Sequence, residues 1–230
     1  KNTSQNLATF NFSGNDTGGV GVNKLKCSLD GASFTHCKSP VQLTPANITD
    51  GSHTFKVLSE DNSSNKDPSP ASFNWTIDTK APTTTINTAI GGNKSAITNG
   101  STTQSSPIVF KFSGNDTGGV GVDHFECSID NSNFTICTSP IQFTSVNLGD
   151  GTHTFRVLSE DNSTNKDPSP ESFTWTIDSV PPETSILSAT DGNKSIITSG
   201  ENTSSNIATF KLSGNDTGGV GVDKLECSLD

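Results

Sequence analysis

The chain has 230 residues, of which 29% are hydrophobic and 7% aromatic, so it cannot bury one large core. It can form several small cores, one in each domain of about 100 residues. A formal net charge of −10 argues against nucleic acid as a partner, because nothing in the chain could neutralise phosphates. No stretch approaches the roughly 20 apolar residues of a membrane span.

One glycine-rich motif recurs along the chain at a fixed interval. The ten residues SGNDTGGVGV run from Ser13 to Val22, and they return at 113–122 and at 213–222. A period of 100 residues is too long for a solenoid unit and about right for one β-sandwich domain. We therefore expect an immunoglobulin-like repeat lacking its first strand (1–78), a complete repeat (79–178) and the N-terminal part of a third repeat (179–230).

The two outer repeats are expected to be incomplete, and two explanations fit this expectation. The sequence is either a window cut from a longer tandem array, or neighbouring chains complete its outer sandwiches by exchanging strands. We favour the window, because near-identical repeats make the choice of window arbitrary.

Short alternating runs of apolar residues predict seven strands in the complete copy. Phe110 and Phe112 share one face of one run, Phe173 and Trp175 share one face of another, and Asp130-Asn131 supplies a hairpin turn. In chain order the predicted strands cover 83–88, 107–113, 123–129, 134–137, 141–144, 152–159 and 172–177. The sequence thus predicts an all-β fold of tandem seven-stranded immunoglobulin-like or fibronectin-III-like β-sandwiches.

The cysteines come in pairs that flank one hairpin. Cys27 is followed by Cys37, and Cys127 by Cys137. If the turn centres near residue 32 of the unit, each pair lies directly opposite on adjacent strands, within disulfide range. A disulfide that closes such a short loop would contribute roughly 2–3 kcal/mol to the stability of the fold. A disulfide in each repeat would also place the chain outside the reducing cytosol. The alternative is metal-binding or catalytic thiols, but no CxxC motif occurs. Cys227 has no partner in the sequence.

N-glycosylation sequons are unusually frequent. Of 22 asparagines, 14 stand in Asn-x-Ser/Thr, and we expect several of them to carry N-linked glycans in loops or on solvent-facing strand positions. The candidate asparagines are Asn2, Asn11, Asn15, Asn47, Asn62, Asn74, Asn93, Asn99, Asn115, Asn133, Asn162, Asn193, Asn202 and Asn215.

Acidic residues collect in the loops that should meet where one repeat follows another. Carboxylate and carbonyl oxygens from loops are the ligands that calcium takes, so we predict a calcium site that stiffens each joint. The candidate ligands are Asp78, Asp116, Glu160, Asp161 and Asp167 at one joint, and Asp178 and Asp216 at the next. The alternative is that these acids only build turns, because no DxDxDG pattern is present.

The histidines give no sign of catalysis. His53 and His153 have the inward phase of their strand and are expected to be packed and hydrogen-bonded, while His36 and His124 have no histidine counterpart in the other copies. No nucleotide loop or Ser-His-Asp spacing stands out, and active sites are seldom copied unchanged along a chain. We expect no enzyme activity.

Three runs resemble the immunoglobulin-like repeats of large bacterial and archaeal surface proteins: FECSIDNSNFTICTSP at 125–140, DGTHTFRVLSEDNSTNKDPSPESFTWTID at 150–178 and PPETSI at 181–186. In that family a cysteine hairpin precedes a DGxHTFxVxAxDxxGNxDPxP segment. This chain departs from it at Ser159 and at NSTN in 162–165. Both departures weaken the carry-over of a defined loop conformation, and of Asp161 as a ligand.

The resemblance implies a stalk, an adhesin or a fibre subunit at the cell surface. We expect a structural building block of an extracellular, glycosylated filament or stalk, whose partners are neighbouring identical repeats or chains. The alternatives are an adhesin whose repeats bind a surface ligand, and an accessory module of a secreted enzyme. A ligand-binding adhesin would present a solvent-facing aromatic platform, whereas Trp75 and Trp175 are predicted to point inward.

Overall fold

A computed structural model describes residues 1–104 and 106–229. Their regular structure is almost entirely β, with a single helical turn at Ser145–Leu148 (α1). No helix in this part of the chain is long and apolar enough to cross a membrane. The chain divides into two compact units, the first formed by Lys1–Asn87, Lys111–Ile141 and Phe155–Ser172, and the second by Thr88–Phe110, Gln142–Thr154 and Phe173–Asp230.

The strands follow the sequence repeat. In the first copy they are Asn2–Thr3 (β1), Ala8–Phe10 (β2), Val22–Leu29 (β3), Thr35–Cys37 (β4), Val41–Leu43 (β5), Gly51–Asp61 (β6) and Ala71–Ile77 (β7). In the second copy they are Thr83–Gly91 (β8), Thr102–Thr103 (β9), Ile108–Asn115 (β10), Val122–Ile129 (β11), Thr135–Cys137 (β12), Ile141–Phe143 (β13), Gly151–Asp161 (β14) and Glu171–Ile177 (β15). The third copy contributes Glu183–Asp191 (β16) and Ala208–Asn215 (β17).

Each of the seven strands predicted for the second copy is present. The two-residue strand β9, which pairs in parallel with β15, and the turn α1 were not predicted. Strand β8 runs three residues further than expected, and β14 runs two residues further, to Asp161. The second extension matters for the acidic residues that β14 carries.

The sheets have the order of an immunoglobulin-like β-sandwich. In the second copy one sheet is β13-β10-β8 and the other is β12-β11-β14-β15-β9. The first copy has the same strand order in its sheets β2-β5 and β1-β7-β6-β3-β4, where its described residues include no counterpart of β8. Three strands against four, with a short parallel strand at one edge, is the fibronectin-III type of the sandwich.

Aromatic side chains fill the cores. In the first unit Phe10 stacks on Phe55 at 4.3 Å between ring centroids, and Phe112 lies 5.9 Å from Phe155. In the second unit Phe110 contacts Trp175 at 5.2 Å, and both side chains are completely buried. Both tryptophans are buried, as the alternation predicted.

The third copy consists of one antiparallel pair, β16 and β17. Ile186 and Phe210 on this pair are 66% and 53% exposed, whereas Phe110, the counterpart of Phe210, is completely buried. The difference arises because no further strand is found among residues 216–229, so nothing in that part of the chain covers this face.

Candidate functional site

Three carboxylates meet beside residues 78–82, the segment that joins the first and second copies. Asp78 follows β7, Asp116 follows β10 and Asp161 ends β14, and one ligand atom from each lies within 4.8 Å of the others. Asp78 and Asp161 are each 1% exposed, and Asp116 is half-buried. These are three of the five residues predicted for the calcium site at this joint.

The glycine-rich motif at 113–122 positions Asp116. Its Oδ2 accepts a hydrogen bond from the Gly121 amide at 2.7 Å, and its backbone carbonyl accepts one from the Gly119 amide at 3.2 Å. The carboxylate lies directly over Gly119, where a Cβ would be 2.2 Å from Oδ1, so no larger residue fits without displacing it. Gly118 and Gly121 have φ of 87° and 86°, which favours glycine at both positions. The glycine-rich motif therefore folds into a tight loop around Asp116.

Asp78 fixes the joining segment to that loop. Its Oδ2 accepts a hydrogen bond from the Val120 amide at 2.8 Å, and its Oδ1 accepts one from the Lys80 amide at 3.1 Å. The Asp78 carbonyl also accepts a hydrogen bond from the side-chain amide of Asn165 at 2.8 Å. The joining segment is thus bonded to both loops of the second copy that carry the acidic residues.

Asp161 organises the second of these loops. Its Oδ1 accepts hydrogen bonds from the Ser163 and Asn165 amides at 2.7 and 2.9 Å, and its Oδ2 accepts one from the Asn165 side chain at 2.7 Å. In the first copy the same side-chain bond from Asn65, at 2.7 Å, lowers the pKa of Asp61 below its usual range, although burial opposes this shift. These bonds stabilise an ionised carboxylate.

The hydrogen bonds described above bring no positive charge to the three aspartates. Within residues 1–104 and 106–229, no Lys, Arg or His side chain forms an ion pair with Asp78, Asp116 or Asp161. The Lys80 ammonium lies beside Gly118, at the rim of the loop. All of the donors described above are neutral amides. Partly buried carboxylates this close together repel one another, and a bound cation would relieve that repulsion.

The other two candidates for this joint lie elsewhere. Glu160 contacts Lys166 at 3.3 Å and His124 at 3.7 Å, and it is not part of the aspartate cluster. Asp167 Oδ2 accepts a hydrogen bond from the Thr84 amide at 2.7 Å, which anchors the first residues of β8. The prediction that all five acidic residues meet at one site is therefore wrong for Glu160 and Asp167.

The joint to the third copy repeats the first one. Asp178 Oδ2 accepts a hydrogen bond from the Val220 amide at 3.0 Å, and Asp216 Oδ2 accepts one from the Gly221 amide at 2.8 Å. Asp216 Oδ1 is buried and has no hydrogen-bond partner within the described ranges. The two predicted ligands of this joint therefore occupy the places that Asp78 and Asp116 occupy at the other.

The two predicted cysteine pairs are disulfides. Cys27–Cys37 and Cys127–Cys137 have S–S distances of 2.03 and 2.02 Å and the same Cα–Cα distance of 5.8 Å. The expectation that paired cysteines lie directly opposite is wrong, because Cys127 faces Thr135 across the ladder. The cause is the turn, in which Asp130 and Asn131 both have positive φ and which centres before residue 132. Cys227 is an exposed free thiol.

The sequons and the inward histidine of the first copy are placed as follows. All fourteen sequon asparagines are exposed. Asn162 differs from most of them, because its side-chain amide donates hydrogen bonds to the carbonyls of Val120 and Gly121 at 3.2 and 3.0 Å. His53 is 9% exposed and hydrogen-bonds Asp30 at 2.8 Å, which confirms that it is packed and hydrogen-bonded.

No protein-family model and no curated protein matches the chain. Solved structures do match. Fibronectin(III)-like modules of CbhA from Clostridium thermocellum are similar over 76% of this chain and 87% of theirs, with 10% identity and a TM-score of 0.40. A tetra-tandem repeat in the extending region of a large adhesion protein is similar over 89% of this chain and 60% of its own, with 13% identity and a TM-score of 0.32.

A third similar structure is a Ca²⁺-stabilized adhesin that helps an Antarctic bacterium to reach out and bind ice. The likeness covers 82% of this chain and 48% of that one, with 17% identity and a TM-score of 0.36. These neighbours are fibronectin-III-like modules and repeats of adhesion proteins.

Proposed function

We propose that the chain is a structural stretch of an extracellular stalk or filament, in which each sandwich is joined to the next by a segment bonded into the following copy. The observation that carries this proposal is the bonding of Asp78 to Val120 and Asn165, repeated between Asp178 and Val220 one period later. Recurrence of the bond to the valine amide one period later is what a series of equivalent joints in a regular rod would require. The two disulfides support an oxidising compartment.

We propose further that calcium binds Asp78, Asp116 and Asp161, and that Asp178 and Asp216 take part in an equivalent site. Three carboxylates that form no ion pair with a basic side chain of the described residues supply hard oxygen ligands, and a cation there would relieve their mutual repulsion. Bound calcium would hold the joining segment and the two loops of the second copy together. It would therefore stiffen the joint.

Thermal unfolding with calcium and with a chelator tests this site. At a calcium concentration of 100 Kd the folded state gains about 2.7 kcal/mol, which raises the melting temperature by about 10 °C or more for a domain of this size. Asp78→Asn should abolish most of that rise. Glu171→Gln removes the same charge from an exposed position on β15 and should keep it. Equal melting temperatures in calcium and chelator would reject the ion.

Glycosylation is proposed for the sequons other than those of Asn62 and Asn162. At Asn62 and Asn162 a sugar on the side-chain nitrogen would replace a hydrogen that bonds the neighbouring loop, so we expect these two to be poorly occupied. The intact mass of material from the native source, before and after deglycosylation, tests this. A mass equal to that of the bare polypeptide contradicts it.

Negative-stain imaging of the native material tests the assembly. Long regular filaments or stalks with a constant repeat are expected. Isolated short particles would instead favour a ligand-binding adhesin or an accessory module of a secreted enzyme.

A further inference from the structure

A second cluster of potential ligands lies on the sheet surface of the second copy. His124 and Glu126 are two residues apart on β11, so their side chains share one face of the sheet. Glu160 on the neighbouring strand β14 lies directly opposite His124 in the ladder. The backbone register therefore brings one imidazole and two carboxylates together.

The distances fit one shared ion. His124 Nε2 lies 3.7 Å from Glu160 Oε2 and 3.9 Å from Glu126 Oε1, and the three ligand atoms all lie within 4.8 Å of one another. Bonds of about 2.0–2.2 Å from zinc to nitrogen and oxygen place two ligands of a tetrahedral ion roughly 3.3–3.6 Å apart. Small side-chain rotations would close this gap. Both distances are too long for a hydrogen bond, so neither carboxylate is hydrogen-bonded to Nε2.

The other imidazole nitrogen is already positioned. His124 Nδ1 lies 2.8 Å from Asp123 Oδ2, a distance at which Nδ1–H donates to the carboxylate. In the neutral imidazole this bond leaves the lone pair on Nε2, on the same side as Glu126 and Glu160. A carboxylate behind the imidazole is the usual arrangement of histidines that bind metals.

Lys166 is the group that a metal ion would displace. Its Nζ contacts both carboxylate oxygens of Glu126 at 2.8 Å and Glu160 at 3.3 Å. The Lys166 side chain is 49% exposed, so its ammonium can move into water when another cation takes the carboxylates. The contacts of Lys166 thus mark the place where positive charge is favoured.

The first copy shows the same surface without a ligand set. Its residues at the positions of His124 and Glu126 are Lys24 and Lys26, whose ammonium groups contact Glu60 at 3.0 and 2.5 Å. Two lysines on one carboxylate leave no room for a divalent cation. The cluster of the second copy is therefore not a general consequence of the fold.

We propose that His124, Glu126 and Glu160 bind one divalent transition-metal ion of the zinc class. An imidazole nitrogen with two carboxylates suits zinc better than calcium, which prefers oxygen ligands alone. Three protein ligands leave the fourth tetrahedral position for water or for a donor group of another molecule. This site is separate from the proposed calcium site, because none of the three residues belongs to the aspartate cluster.

Isothermal titration of the full chain with zinc chloride, in excess calcium, tests the proposal. We expect one zinc ion to bind at this cluster, and His124→Lys, which installs the residue of the first copy, to remove it. His36→Lys changes an exposed histidine of the first copy and should leave the binding unchanged. Equal stoichiometry and affinity in the His124→Lys variant and the unmodified chain would overturn the proposal.

Two further variants separate a metal site from a simple charge network. Lys166→Ala removes the competing ammonium, so zinc should bind more tightly, whereas a network that needs the lysine would gain nothing. Asp123→Asn should weaken zinc binding about 10- to 100-fold through the orientation of the imidazole. A shift of the His124 imidazole resonances in NMR on addition of zinc provides a readout independent of the heats. No shift at saturating zinc would also overturn the proposal.

Discussion

Thr84 is the point at which the joining segment enters the second copy, and its replacement by valine should weaken that copy selectively. The Thr84 hydroxyl accepts a hydrogen bond from the Ser159 amide at 2.8 Å and lies 2.9 Å from the Ser159 hydroxyl. Thr84 is 6% exposed and Ser159 is completely buried. Valine is nearly isosteric with threonine and prefers strands equally, so the substitution removes these bonds and places a slightly larger methyl group beside Ser159.

The expected cost follows from the groups left without partners. A buried amide that loses its acceptor costs about 1–3 kcal/mol, and the lost bond to the Ser159 hydroxyl adds about 1 kcal/mol. The total of about 2–4 kcal/mol corresponds to opening of the structure that is roughly 30- to 800-fold more frequent.

Native-state hydrogen exchange measures that opening directly. Amides in 151–161 should lose about 30-fold or more of their protection in Thr84→Val, while amides in 51–61, the same strand in the first copy, should change little. Thr184→Val is the matched control, because Thr184 is the exposed counterpart in the third copy. Protection within threefold of the unmodified chain at 151–161, or an equal loss in both copies, would refute the reasoning.

Three further predictions follow from other contacts. Replacing Cys127 and Cys137 by serine should lower the free energy of unfolding by about 2.7 kcal/mol, the value for a loop of this length, and urea denaturation measures it. Phe110→Ala should cost about 3–5 kcal/mol in the same assay, because the side chain is completely buried. The pKa of His53 is raised, because its hydrogen bonds with Asp30 and the Thr49 carbonyl together outweigh the lowering by burial, which is the largest single effect. This contribution to stability is complete below the unfolded pKa of about 6.5 and is lost as pH rises through the folded value. The protection factors of amides near His53 should therefore fall above about pH 6.5. Asp30→Asn should make these protection factors less dependent on pH.

The strands and the disulfides could be predicted because period-2 alternation and cysteine spacing are local properties of the sequence. The composition of the aspartate cluster could not be predicted fully. The sequence suggested that β14 ends at Ser159, which would leave both Glu160 and Asp161 free in a loop. The strand in fact continues to Asp161, so neighbouring residues point to opposite faces and only Asp161 reaches the cluster.

The cysteine register could not be predicted for a similar reason. Spacing alone allowed a turn centred midway between Cys127 and Cys137, whereas the positive φ angles of Asp130 and Asn131 place the turn earlier. The cysteines are then diagonal across the ladder and still within bonding distance. The contact of Asp167 with Thr84 depends on residues 83 positions apart, which no local pattern encodes.

The disulfide hairpin also limits how far the chain can be stretched. A pull on both ends of an unfolded copy cannot extend the residues between Cys127 and Cys137, which are ten positions apart and held with their Cα atoms at 5.8 Å. At about 3.5 Å per residue this withholds roughly 30 Å of contour length from each copy. In a force-extension experiment, reduction should lengthen the unfolding step of each disulfide-bonded copy by that amount, so the bond limits how much chain length one unfolded sandwich releases.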